Sequence, residues 1–289
     1  MKRRFAISLV SALLACFAAA PLLAAGPEDC RRLSAKDLAQ ARGLMAKVYP
    51  HDCCDDTLAV CLDKAKPSRL VMRLAADVCR RVADKEKDGD ILREIDRRGS
   101  SMMGTGKPAA IDLSGASWAG EGIAPVAVVV YTCARCPFCA RSVPEMDQAV
   151  TEGPLKGKAR FAARLFPVKS HEHSKEGGLA MQAADNLGRF WPYLLKIYEQ
   201  FDMFCVGRLA DLAEEAGLDR AAFEAEMKKG ATARSLVASK KEGLRNHVEA
   251  TPTYFINGKL YKADMKTVPL VDAVEEEYDR VSGKLCKPE

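Results

Sequence analysis

The sequence predicts an α/β fold carrying a helical insertion, preceded by a small all-α region. Three observations carry that prediction. Pro125 to Tyr131 form a short, β-branched apolar run, as a strand buried on both faces requires. The run leads into Cys133-Ala-Arg-Cys136-Pro-Phe-Cys139, where Pro137 suits the first turn of a helix because its missing N–H would have no intrahelical partner. Far downstream, Thr253 to Ile256 read as a second short strand turning at Asn257-Gly258.

The elements follow in chain order. Met1-Lys2-Arg3-Arg4 is a basic start, Phe5 to Leu23 an apolar stretch, and Leu23-Ala24-Ala25 a small-residue cleavage site before Gly26, so residues 1–25 read as a secretory signal peptide. Leu13-Leu14-Ala15-Cys16 offers an alternative, a lipoprotein box that would anchor the chain at Cys16. The apolar stretch continuing past Cys16 favours removal up to Ala25. Both outcomes place the chain outside the cytoplasm, where disulfides persist, and the expected compartment is the periplasm.

Cleavage at Ala25 leaves cysteines 30, 53, 54, 61, 79, 133, 136, 139, 205 and 286, an even set suited to a disulfide framework of open connectivity. It also removes Lys2, Arg3 and Arg4, taking the formal charge from +5 to +2. The remaining basic residues are interleaved with acids, and no stripe calls for nucleic acid.

The mature chain, about 264 residues, has room for two domains. Residues 26–107 read as a cysteine-containing helical domain. Pro67-Ser68 opens a helix in which Leu70, Val71, Leu74, Val78 and Val82 recur at helical spacing beside Cys79, and a further helix from about Gly89 to Arg97 carries Ile91, Leu92 and Ile95. So small a core benefits from cross-links. The expected role of Cys53, Cys54, Cys61 and Cys79 is therefore two structural disulfides, with accessory redox thiols or a zinc site as alternatives. His51 is expected in a surface loop. The Gly/Ser/Ala-rich stretch from Gly99 to Gly122 marks the boundary, with residues 108–122 as a linker or arm.

Residues 123–289 form the second domain. After the strand, Cys136 falls at a helix start, where unpaired N–H groups and the macrodipole stabilise a thiolate, helped by Arg135 and Arg141. A Cys pKa there falls from about 8.5 to roughly 3.5–7.5. Cys139, one turn later, is placed to attack a mixed disulfide formed by Cys136. Cys133 reads as a buried inert thiol, a partner for another segment, or a third relay thiol. The triple spacing also matches part of an iron–sulfur pattern, but its fourth position is Val143.

A strand is expected near Arg160–Phe166, then a helical insertion over about 170–247. Ser174 to Phe201 reads as continuous helix with Ala180, Ala183, Ala184, Leu187 and Trp191 inward, and Leu209–Gly217 and Arg220–Lys229 as shorter helices. His171-Glu172-His173 is expected to face solvent, and Cys205 and Cys286 are candidates to pair with each other.

From about Ile123 onward the chain resembles the DsbA-type thioredoxin-fold thiol:disulfide oxidoreductases. The resemblance rests on the strand into Cys136-Pro137-Phe138-Cys139, Pro144 five residues beyond, Thr251-Pro252, and the strand Thr253–Ile256 turning at Asn257-Gly258. It implies that Pro144 kinks the active-site helix and that Pro252 is a cis-proline facing the active-site sulfur. It also implies catalytic Cys136 and Cys139, substrate contact through Pro137, Phe138, Thr251 and Pro252, and no organic cofactor or metal. The implied partners are extended or unfolded protein substrates bearing thiols or disulfides, and a membrane redox partner for recycling. Residues about 45–100 resemble, more weakly, the helical thioredox domain of CcmH-type cytochrome c maturation proteins, although adjacent Cys53-Cys54 replace that family's Cys-x-x-Cys. The rival functions are a redox-inactive peptide-binding adaptor or chaperone, a thiol relay in cytochrome c maturation, and a metal-delivery protein.

Overall fold

A computed structural model describes residues 26–104 and 106–288. The expected signal peptide and Cys16 lie outside the described residues.

Five helices come first: α1 (Glu28–Arg31), α2 (Ala35–Met45), α3 (Leu58–Leu62), α4 (Arg69–Ala83) and α5 (Asp88–Met102). Ser34 and Ser68 cap α2 and α4 by accepting from the backbone N–H groups of Asp37 and Val71, an arrangement worth about 1 kcal/mol each. The stripe read from the sequence is the buried face of α4: Leu70, Val71, Leu74, Val78 and Val82 pack with Leu44, Met45, Leu58, Ile91 and Ile95.

Three disulfides reinforce this small core. Cys30–Cys79 and Cys54–Cys61 lie within the bundle, while Cys53–Cys286 brings back the C-terminal tail. Leu285 is buried in the bundle's core, and the Arg69 N–H donates to Lys287 O at 3.0 Å. The expected Cys205–Cys286 pair is therefore overturned: docking of the tail puts Cys286 beside Cys53, with Cα atoms 5.0 Å apart. Cys205 is an exposed free thiol.

The remaining chain builds a five-stranded sheet of β1 (Ala119–Gly120), β2 (Val126–Thr132), β3 (Ala159–Leu165), β4 (Thr253–Ile256) and β5 (Lys259–Leu260), in the order β1-β3-β2-β4-β5. β2 and β3 run parallel, joined through α6 (Pro137–Thr151), and the other pairs are antiparallel. β2 is buried on both faces. Val126, Val128 and Val130 enter the main core, while Val129 and Tyr131 pack with Phe166, Val248 and Phe255 on the other side.

The insertion comprises α7 (Ser174–Asn186), α8 (Phe190–Glu199), α9 (Leu209–Glu215), α10 (Arg220–Lys228) and α11 (Gly230–Arg245). The single helix expected from Ser174 to Phe201 is broken, because Gly188 adopts φ +73°, a left-handed conformation natural to glycine that stops α7. The final helix, α12 (Thr267–Val281), packs against both the sheet and the bundle.

Charged groups fill the seam between α12 and the bundle. Arg98, 1% exposed, donates to Glu276 at 3.2 Å and lies 3.5 Å from Asp77, and His51 Nε2 is 2.6 Å from Glu276 Oε1. Burial works against the Arg98 charge, yet the carboxylates of Glu276, Asp272 and Asp77 outweigh it and raise its pKa. His51 is thus not the surface loop residue expected. Its side chain is 11% exposed and reaches a carboxylate 225 residues away. Among the described residues no helix is long and apolar enough to cross a membrane.

Candidate active site

The end of β2 and the start of α6 bring Cys133, Cys136 and Cys139 to one edge of the sheet. Cys136 is the N-cap of α6, with extended backbone and Pro137 in the first turn, and Pro144 lies inside the helix. Opposite stands the loop before β4, where the Thr251–Pro252 peptide bond is cis. Cys136 Sγ donates to Thr251 O at 3.1 Å. Cys136, Pro137, Phe138, Cys139, Thr251 and Pro252 thus converge from two segments more than a hundred residues apart.

The two thiols are electrostatically unlike. Cys136 is held down to about 5, first by a hydrogen bond from the Cys139 side chain; burial opposes this, and Thr251 and the N–H groups of Cys139 and Phe138 add to it. The Thr251 hydroxyl is buried without a hydrogen-bond partner among the described residues, so it is free to donate to a thiolate. Burial, followed by the hydrogen bond and charge of Cys136, pushes Cys139 well above the ordinary thiol range. Side-chain hydrogen bonds from Cys139 and Thr251 lead the lowering of Cys136, ahead of the helix-start N–H groups expected from the sequence, which also contribute. Arg135 is engaged elsewhere, 4.8 and 4.6 Å from the ring centroids of Phe201 and Phe204.

Supporting contacts fix the loop. Tyr198 Oη, buried beneath it, lies 2.7 Å from Thr132 Oγ1 and donates to Cys133 O at 3.2 Å. Gly177 on α7 passes so close that a Cβ there would lie 2.5 Å from Ala134 Cβ. Cys133 is buried and its thiol is raised, chiefly by that burial. Its Sγ is 3.5 Å from His171 Nδ1, so His171 is half-buried against a thiol rather than facing solvent. Sequence reasoning missed Thr132 and Tyr198; only the position of Thr132 beside Cys133 offered a signal. Cys53, Cys54, Cys61 and Cys79, weighed as accessory thiols, are all disulfide-bonded.

Beside the dithiol lies a groove of about 1060 Å³. One wall holds Phe138, Thr251 and Pro252 with the Met265–Pro269 segment, and the other is the edge of α1 and α4. Phe138 is 67% exposed and stands in its mouth, whereas Cys136 is only 1% exposed. Thr251, whose carbonyl contacts the Cys136 sulfur, is the link between the buried thiol and the groove wall.

Such a strand–dithiol–helix junction facing a cis-proline loop defines a thioredoxin-type centre. The family model described as Thioredoxin matches residues 113–276, more than half of the chain, and the protein belongs to that family. Its architecture is that of DsbA-type proteins. It is similar to oxidised BdbD from Bacillus subtilis (22% identity, 60% of this chain and 97% of that one, TM-score 0.50). It is also similar to α-DsbA1 from Wolbachia pipientis (16%, 61% and 97%, TM-score 0.51). The thiol-disulfide exchange protein α-DsbA2 of the same organism gives 15% identity, 68% and 99% coverage and a TM-score of 0.50.

Among curated sequences it is similar to the Na(+)/H(+) antiporter NhaA of Herminiimonas arsenicoxydans, 27% identical over 150 residues, covering 51% of this chain and 24% of that protein. NhaA 1 of Salinispora arenicola is 29% identical over 159 residues, covering 52% and 23%. The chain thus spans about a quarter of the length of these relatives.

Proposed function

We propose that the protein is an exported thiol:disulfide oxidoreductase working on protein substrates through Cys136 and Cys139. The observation that carries this reading is the asymmetry of the pair: one thiol lowered to about 5 beside the Thr251 carbonyl, its neighbour raised and buried. At neutral pH such a pair holds one nucleophile and one proton reservoir.

In the oxidising direction, a substrate thiolate attacks Sγ of Cys136 in the Cys136–Cys139 disulfide. A substrate–Cys136 mixed disulfide forms and Cys139 leaves as a thiolate that takes up a proton. A second substrate thiolate then attacks the substrate sulfur, so the substrate gains a disulfide and Cys136 departs as a stabilised thiolate. Two electrons pass from substrate to the Cys136/Cys139 pair, and reversing the steps reduces a substrate disulfide. Because a lowered pKa stabilises the dithiol form, it favours oxidation of the substrate.

The signal-like residues 1–25 support a periplasmic location, and a membrane redox partner would regenerate the disulfide. The helical domain of residues 26–107 and the arm of 108–122 serve as its structural companion. The cation transport named for the antiporters belongs to those proteins.

Equilibration of the mature protein in glutathione buffers, with thiol trapping and mass spectrometry of the Cys136/Cys139 peptide, tests the reading. A potential near about −120 mV is expected for an oxidant, whereas about −270 mV marks a reductant. A peptide that never titrates, while others do, rules the assignment out.

A further inference from the structure

The groove's charges are not all alike. Among its lining cations, Arg80 is paired with Asp29 at 2.9 Å, Arg81 with Asp77 at 3.0 Å and Glu86 at 3.1 Å, Lys266 with Glu86, and Arg32 with Glu28. Arg141 is different. It lies one helical turn beyond Phe138 on α6, is exposed, lines the groove, and has no side-chain hydrogen bond or ion pair among the described residues. Glu145, one turn further on the same helix, also lines the groove and accepts from the Thr267 hydroxyl through one carboxylate oxygen. Arg141 is thus the one lining cation whose guanidinium, with its five donors, has no carboxylate within 4 Å among the described residues.

The groove's size limits what enters. A strand rising ~3.3 Å per residue, at the ~4.8 Å and ~10 Å spacings of strands and sheets, takes roughly 160 Å³ per residue. The groove of about 1060 Å³ therefore has room for an extended segment of a few residues. The bundle wall is tied to the second domain through Arg80–Asp272 and Arg81–Asp264.

We propose that Arg141 is a specificity-determining residue of this groove, binding an acidic side chain of the substrate close to its reacting cysteine. This rests on the oxidoreductase reading. A guanidinium–carboxylate pair in a partly enclosed groove gives orientation as well as attraction.

The test uses the full mature chain with Cys139→Ala, leaving Cys136 to react alone. Two six-residue peptides, each with its cysteine in a mixed disulfide with 2-thiopyridine, differ only by Glu or Lys beside the cysteine. The Cys136 thiolate attacks the peptide sulfur, forming the protein–peptide disulfide and releasing thiopyridone, whose absorbance gives the rate. Arg141→Glu is expected to lower the Glu-to-Lys rate ratio roughly tenfold, since it replaces a weak attraction by a repulsion. Arg141→Lys should hold the ratio within about twofold, and raised salt should compress it. A ratio unchanged by Arg141→Glu overturns the inference. If Cys136 fails to react even with 2,2′-dithiodipyridine, the oxidoreductase reading itself falls.

Discussion

Cysteine has two fates in this protein, and the regions that hold it explain why. In the helical bundle and the tail that returns to it, six cysteines are closed into three bridges with Cα separations of 5.1, 5.0 and 6.2 Å. At the strand–helix junction, Cys133, Cys136 and Cys139 are thiols. The bundle is small, and cross-links offset its thin core. The junction has a deep core on both faces of β2 and needs no cross-link there. What it supplies instead is a pair of thiols with opposed pKa shifts. Cysteine does structural work where burial is scarce and redox work where burial is plentiful but uneven.

That contrast can be broken at several points. The largest effect is expected from Cys136→Ala, which should abolish exchange, by about a thousandfold or more, while leaving thermal unfolding within a few degrees; a residual fast exchange would move the nucleophile elsewhere. Next is the paired change Cys30→Ala/Cys79→Ala. Opening a bridge across 49 residues costs ~4 kcal/mol in the chain-entropy account, and denaturant titration should show that loss with the Cys136 reaction toward dithiothreitol retained.

Gly177→Ala connects the two properties. Its Cβ would collide with Ala134 at 2.5 Å and push on the dithiol loop, costing about 1–3 kcal/mol and slowing exchange, as stopped-flow mixing would show. The subtlest contrast is in pH. Cys136 is depressed on folding, so the reduced protein gains stability that is fully present above about 9 and is lost as pH falls towards about 5. Chemical denaturation of reduced and oxidised protein across that window should show the difference shrinking towards acid and flattening below about 5.

The junction was legible in sequence because its signals are local. A β-branched run, Cys-Pro-Phe-Cys, Thr-Pro before a short strand: each is a few residues long and each falls where the chain placed it. The rest is long-range or disguised. Nothing near Cys53 announces Cys286, or near His51 announces Glu276, 225 residues on. Helix α11 buries Thr232, Leu236, Ser239, Glu242 and Gly243, so its inner face has no apolar period to read. Helix α12 buries Glu276, Glu277 and Asp279, which only the arginines and lysines folded over them make tolerable. In the dithiol loop, Tyr198 escaped notice because its partner Thr132 lies 66 residues away.

The Cys53–Cys286 bridge has a mechanical consequence. A pull applied to the two ends of the described chain enters near residue 26 and leaves near residue 288, so tension crosses from Cys53 to Cys286 and bypasses the sheet, the dithiol and the insertion. With the bridge intact, only the stretch from residue 26 to residue 53 can pay out, roughly 90 Å at full extension. Once it is reduced, the Cys30–Cys79 bridge still holds back the 49 residues it spans, and the rest of the polypeptide bears the load and can lengthen to about 730 Å.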